Sequence, residues 1–333
     1  MKYEDRVYGE CEITEAVVLD LIGSSSLQRL KGIDQSGYRA LWVQPETELG
    51  EYDNSRFAHS VGVYLLLKKY GAPLEEQLAG LIHDVSHTAF SHCIDYVLNV
   101  GSEAKQDHQD NVFEAFVRKS EIPNILEKHG QNVDRLLDDG NFPLKENILP
   151  DLCADRIDYS MRTAVLFGEI DFKQAQEILD GLAVKDNIWF FRDFESAKRY
   201  AELFSRVNDI HYAGLDSARM YEAVRGFVVY AMAKDYIYEE YLYRGDEAVI
   251  AKINEHLEED VELQKLFDRM NDKSKISESV VGYDAEVVCK SRIVDPWFSD
   301  SGILRRVSDA DSSWGKVVRE KLKPKRYFLK YKN

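Results

Sequence analysis

Five of the eight histidines, His59, His83, His87, His92 and His108, fall within one fifty-residue stretch of a 333-residue chain. A lone buried imidazole is usually a core group with a hydrogen-bond partner. Five crowded together point to a shared site, and imidazole suits Zn, Fe, Mn or Cu. The fold must therefore bring several elements around one point. At the centre, His83-Asp84 follows the apolar run Ala79-Gly80-Leu81-Ile82. Neighbouring side chains on a helix diverge by about 100°, so both reach one ion only at a helix end. An imidazole and a carboxylate in apolar surroundings are costly unless paired, and a metal ion supplies the pairing. His59, in Arg56-Phe57-Ala58-His59-Ser60, lies far enough upstream for a helix, a turn and a return. Asp155, in Asp151-Leu152-Cys153-Ala154-Asp155-Arg156-Ile157-Asp158-Tyr159, is the best fourth ligand. Two imidazoles and two carboxylates make a mixed N/O site with room for water or substrate oxygens.

The surrounding pattern is mostly helical. Thr14–Ile22 reads as an amphipathic helix with a Thr cap, and Ser24–Leu30 as the start of a second. Arg56–Tyr70 ends at Gly71, and Leu74–Asp84 starts after Pro73. Helical patterns continue at His108–Val117, Pro150–Phe167 and Asp171–Leu179. A hairpin is expected from Leu182–Val184 and Ile188–Phe191, turned by Lys185-Asp186-Asn187. One long helical region is expected from Ser196 to Ala233, and charged helices over Asp246–Met270. Glu286–Cys289 and Arg292–Val294 read as short strands broken by Asp295-Pro296. The expected fold is mainly α: a helical core over residues 1–240, with segment 1–50 packing on it, and a helical and β appendage over 241–333.

Composition narrows the function classes. Apolar runs are far shorter than the roughly 20 residues of a membrane span, and Met1–Arg6 opens no signal sequence. The four cysteines form no CxxC pair, so reduced thiols and a cytoplasmic location are expected. A net charge of −16 disfavours non-specific nucleic-acid binding, though a local pocket can oppose the global sign. The basic stretch Lys316–Asn333 reads as a solvated terminal strand or a contact to acidic surface elsewhere.

The order His59, His83-Asp84, Asp155 resembles the H…HD…D signature of HD-domain metal-dependent phosphohydrolases. The extended segments Arg56–Val63, Leu81–His92, Asp155–Tyr159 and Leu27–Gln35 resemble the deoxynucleoside triphosphate triphosphohydrolase branch. The resemblance covers roughly residues 1 to 240 and implies an HD-domain helical core. It implies that His59, His83, Asp84 and Asp155 bind one divalent transition metal ion (Mn, Fe, Zn or Ni), with Mg at the substrate phosphates as a further cation. Arg56 would contact substrate phosphate, and His87 the phosphate next to the sugar. His92 would act as an acid-base group oriented by Asp95, and His108 as a further active-site histidine. Arg156 stands where the family places a phosphate-binding Lys. Tyr159 matches a tyrosine against the sugar, Gln35 a glutamine near the sugar hydroxyl, and His211 a later substrate-side histidine. The family also implies a homo-oligomer.

Four positions depart from that pattern. Thr163 stands where an Asp reads the sugar 3′-hydroxyl, and Ser36 replaces an apolar residue beside the sugar. Gly23 falls where an Asp reads an activating guanine, and Lys31 replaces a neighbouring Arg. His83 and His87 are spaced i, i+4 as in zinc proteases, but Asp84 stands where that motif needs a Glu base. The expected function is hydrolysis of a deoxynucleoside triphosphate to deoxynucleoside and triphosphate. A nucleotidase or another phosphomonoesterase or phosphodiesterase is the alternative within enzymes, and a non-catalytic nucleotide-binding regulator the alternative outside them.

Overall fold

The computed structural model describes residues 1–38, 54–98 and 105–332. Residues 39–50 of the expected N-terminal packing segment lie outside the described residues. The architecture is mainly helical with small sheets, as the sequence pattern predicts. No helix of the described residues is long and apolar enough to cross a membrane.

The helix Arg56–Lys69 is the spine, and every residue from Arg56 to Leu67 is buried. Apart from Arg56 and His59, which turn to the site side, and Ser60, the buried part of this helix is apolar nearly all round, and two cores meet on it. Phe57, Val61, Tyr64 and Leu65 face a cluster with Val17, Leu21, Leu30 and Leu81. Val63, Leu66 and Leu67 face a second with Ile157, Met161, Trp189 and Phe204. Two glycines let its neighbours approach. A Cβ at Gly80 would strike Leu67 and Val63 across the pair formed with Leu74–Ile82. A Cβ at Gly62 would overlap the Asp158 carboxylate and the Arg162 guanidinium of Ala154–Leu166. The elements that carry His59, His83 and Asp155 are thereby held together.

The first helix, Ala16–Ile22, is not capped by Thr14: its N-cap is Glu15, with no side-chain cap bond. Three further features differ from the sequence pattern. The long helical region expected from Ser196 to Ala233 is divided into two helices, Phe194–Val207 and Leu215–Ala233, joined by a wide turn at Asn208–Tyr212. Turns of this wide kind occur inside helices, often at functional sites. Arg292–Val294 pairs with no strand among the described residues; the Asn208 side chain accepts its first N–H, from Arg292, at 2.8 Å. An unexpected N-terminal hairpin pairs Lys2–Asp5 with Gly9–Glu12. The hairpin over Leu182–Lys185 and Ile188–Phe191 forms with the expected turn.

The carboxy-terminal part is knitted into the body. Phe190 and Phe191 pair in parallel with Trp297 and Phe298, extending the central hairpin to four strands. A third cluster unites Phe90, Ile94 and Phe227 with Leu263, Val287 and Leu329. The basic terminus makes the contacts to acidic surface that its charge predicts: Lys321 and Lys325 bind Asp209, and Arg326 binds Glu286.

Candidate active site

His83 caps the end of the helix Leu74–Ile82, where the chain leaves the helical path and Asp84 can turn inward beside it. Its Nδ1 donates to the Gly80 carbonyl at 2.7 Å, which leaves Nε2 as an acceptor. His59 is fixed in the same sense: its Nδ1 donates to Asp158 Oδ2 at 2.7 Å. The two Nε2 atoms lie 3.2 Å apart. Asp155 Oδ1 lies 2.9 Å from His59 Nε2 and 3.4 Å from His83 Nε2. Asp84 adds Oδ1 at 3.4 Å from His83 Nε2 and Oδ2 at 3.7 Å from His59 Nε2. Ligand atoms of His59, His83 and Asp155 all fall within 4.8 Å of one another.

This convergence sets acceptor against acceptor. Lone pairs and carboxylates meeting at one point repel unless a proton or a metal ion lies between them. Burial disfavours charge on His59, yet its hydrogen bonds to Asp155 and Asp158 push its pKa up to about 9. Asp155 is held well below the usual carboxylate range by His59 and His83, against the effect of burial. The donor set fits a divalent transition metal, which would replace the proton.

The support behind His59 is complete. Asp158 is fully buried and accepts from Arg162 Nε at 3.1 Å and Nη2 at 3.0 Å, and from the Tyr8 hydroxyl at 2.9 Å. Asp5 of the N-terminal hairpin closes the network on Arg162 at 3.0 Å. A carboxylate behind a ligating imidazole fixes its tautomer and raises its basicity. Asp158 had no assigned role in the sequence reading; its position three residues after Asp155, one helical turn on, was the signal available.

Around this centre the structure gathers most of the expected residues. Arg56 spans Asp84 Oδ2 at 2.8 Å, the Ser91 hydroxyl at 2.9 Å and the Gln35 carbonyl at 3.3 Å. His87 Nε2 sits 3.4 Å from Asp84, and burial together with Arg56 pushes its pKa down to about 3. His92 Nδ1 donates to Asp95 Oδ2 at 3.2 Å; burial pushes its pKa down to about 4 despite that bond. Both imidazoles are neutral at physiological pH. Asp95 also accepts the His108 backbone N–H at 2.9 Å. The His108 ring nitrogens are buried and unpartnered among the described residues.

A cavity of about 430 Å³ opens on the centre, and Gln35, Arg156 and Tyr159 line it together with Arg56 and His92. Arg156 is anchored to the Asp151 carbonyl at 2.6 Å and to Glu146 at 3.3 Å. His211 is not among the lining residues. The wide turn at Asn208–Tyr212 sends Tyr212 to the cavity, while His211 stacks on Phe167 at 4.5 Å and meets Glu169 at 3.4 Å. Thr163 is buried against the Tyr212 hydroxyl and is also absent from the lining. Lys145, Asp110, Lys290 and Arg292 line the cavity without having been singled out from sequence. Arg292 was read only as part of a strand, and nothing local shows that segment turning inward.

The comparisons with known proteins agree with this geometry. The HD domain family matches residues 56–162. The chain is 34% identical over 315 residues to the uncharacterized protein YdhJ of Bacillus subtilis, covering 92% of this chain and 93% of that protein. The metal-dependent phosphohydrolase cns2 of Cordyceps militaris is 37% identical over 179 residues, 54% of this chain and 49% of its own length. The deoxynucleoside triphosphate triphosphohydrolase SAMHD1 homolog of Dictyostelium discoideum is 25% identical over 240 residues, 62% of this chain and 44% of its own length. The chain thus spans about half the length of the latter two. The ring of imidazoles and carboxylates on helices 56–69, 74–82 and 154–166 lies within the matched residues, and the chain belongs to the HD-domain family of metal-dependent phosphohydrolases.

Proposed function

We propose that this phosphohydrolase cleaves deoxynucleoside triphosphates to deoxynucleoside and triphosphate, with His59, His83, Asp84 and Asp155 holding one divalent transition metal ion. The observation that carries the reading is the meeting of the two Nε2 atoms, Asp155 and Asp84 beside Arg56 and the His92–Asp95 pair in one cavity. The kinship with the SAMHD1 homolog supports the substrate class. When bound, the metal polarises a phosphate oxygen or lowers the pKa of a water.

The residues divide the remaining work. Arg56 and Arg156 present guanidinium groups to phosphate oxygens, a geometry suited to charge-assisted pairs. Both are already fixed by protein partners, so little reorganisation accompanies the reaction. His92 starts neutral with its Nδ1–H on Asp95, so its Nε2 accepts a proton first. Approach of an anionic phosphate raises the imidazole pKa and so favours uptake of that proton, which His92 then passes to the leaving oxygen as negative charge develops there. In the full reaction the water oxygen bonds to the α-phosphorus, the bond from that phosphorus to O5′ breaks, and O5′ leaves protonated. Tyr159 lines the cavity with its hydroxyl buried and unpartnered among the described residues, which supports a contact with the sugar.

A second reading has its own observation. Thr163, where an Asp would read the 3′-hydroxyl, is occupied by Tyr212. That favours a nucleotidase or another phosphoester hydrolase with no demand on the sugar. One experiment separates the two. Mn²⁺-supplemented protein is incubated with panels of dNTPs, NTPs and nucleoside monophosphates, and products are resolved by anion-exchange chromatography. Deoxynucleoside with intact triphosphate establishes the first reading. Orthophosphate from monophosphates alone establishes the second.

A further inference from the structure

We propose that Lys290 and Arg292 form an anion subsite that holds the phosphates beyond the one attacked, giving the enzyme a preference for triphosphates over monophosphates. The inference rests on the nucleotide reading above and names the part of the cavity that sets substrate length.

The segment is built to present two cations. In extended chain, side chains two apart share a face. Lys290 and Arg292 line the cavity, and Ser291 between them is buried on the other side. Asn208 clamps that far side: its Nδ2 donates to the Ser291 hydroxyl at 3.2 Å, and its Oδ1 accepts the Arg292 N–H at 2.8 Å. The wide turn that sets Asn208 in place is thus what fixes the segment. Arg292 is oriented further by Gln106 Oε1, which accepts from its Nη2 at 3.0 Å, and by the Lys290 carbonyl at 3.5 Å from its Nη1.

Charge accounting around the cavity leaves these two over. Arg56 pairs with Asp84, Lys145 with Asp139 and Arg156 with Glu146. Among the described residues no carboxylate lies within salt-bridge distance of Lys290 or Arg292, and the Arg292 guanidinium donates only to neutral oxygens. Asp110, Glu114 and Asp155 are the remaining acids on the lining, and Asp155 faces His59 and His83. Glu114 is already paired with Arg118, and burial pushes the Asp110 pKa up to about 6. Burial, then Arg292, pushes the Lys290 pKa down to about 8. A half-buried cation without a counter-ion is costly, and a bound anion relieves the cost. The two also reach different neighbours. Lys290 feels Asp110, Glu146 and Arg156, whereas Arg292 acts on His92, Tyr159 and Tyr212. A single orthophosphate at the metal centre has no need of both, and a chain of phosphates can use both.

Inorganic tripolyphosphate and orthophosphate, titrated calorimetrically into the full chain, test this directly. The expected result is tighter binding of tripolyphosphate by the unaltered chain. Lys290→Gln and Arg292→Gln should each weaken tripolyphosphate about tenfold, the loss of one charge-assisted hydrogen bond, and weaken orthophosphate less than threefold. Arg292→Lys retains the charge without the Gln106 fork and should fall between; its thermal melt guards against a folding defect in Arg292→Gln. In steady-state assays, KM should rise more for triphosphates than for monophosphates. Unchanged tripolyphosphate binding in both Gln variants, equal weakening of both anions, or no tripolyphosphate binding by the unaltered chain overturns the subsite. If tripolyphosphate binds through these residues while no nucleotide is cleaved, the subsite stands and the nucleotide reading falls.

Discussion

His59 and His83 each commit Nδ1 to a fixed acceptor, so each offers Nε2 to the centre. The difference between them is the acceptor. His83 uses a carbonyl of its own helix, whereas His59 depends on Asp158, which Arg162 and Tyr8 hold from behind. Asp158→Asn is expected to weaken metal binding about 10–100-fold, the usual cost of losing a carboxylate behind a ligating histidine. Competition with a chelator measures it. Replacing both His83 and Asp84 by Ala should remove metal and turnover together; activity surviving in a variant shown to be metal-free would refute the site. Gly62→Ala forces a methyl into the Asp158–Arg162 pair. It should cost about 1–3 kcal/mol in a denaturant melt, the range for overpacking.

At the scale of elements, the turn that carries Ser91 and His92 is strained. Phe90 and Ser91 both have positive φ, at 62° and 45°, and for a bulky residue such as Phe90 that is an outlier. The carboxy-terminal part holds this turn. Asp246 accepts the Phe90 N–H at 2.8 Å and the Asp34 N–H at 2.9 Å, and the Leu242 carbonyl accepts the Ala89 N–H at 2.8 Å. Burial pushes the Asp246 pKa up to about 8 despite those two donors. A carboxyl raised in the folded state stabilises fully below its unfolded value near 3.8, and the contribution is lost as pH rises through about 8. Relative to Asp246→Asn, the unaltered chain should therefore melt higher at pH 5 and lose that advantage by pH 8. Melting curves of both proteins across that range check the sign. None of this could be read from residues 242–246 alone, because both acceptors serve donors at Asp34, Ala89 and Phe90.

For the whole molecule, the electrostatic situation is a buried set of acceptors that suits a cation, in a chain of net charge −16. A ligand that binds only the folded state stabilises it by about 2.7 kcal/mol at a hundredfold excess over Kd. Saturating Mn²⁺ should raise Tm by several degrees, EDTA should reverse the rise, and the His83→Ala, Asp84→Ala double variant should show neither response. The cavity draws on almost the full length of the chain: Gln35 near one end, the histidine stretch in the middle, and Lys290 and Arg292 towards the other.

The helices that carry the site and the residue types at their ends were legible because each depends on short-range order. Apolar periodicity and the Gly71 and Pro73 punctuation marked helices over Arg56–Tyr70 and Leu74–Asp84, within a residue or two of the observed ends, and the residue types of His59, His83-Asp84 and Asp155 pointed to the side chains that the structure brings together. The helix break at Asn208–Tyr212, the exclusion of His211, the plugging of Thr163 by Tyr212 and the arrival of Lys290 and Arg292 were decided only in three dimensions. Each rests on a contact between residues tens to hundreds of positions apart, as with Asn208 and Arg292. Local pattern sets which face of an element is apolar, but the path by which distant segments meet is fixed by packing and by where buried polar groups find partners.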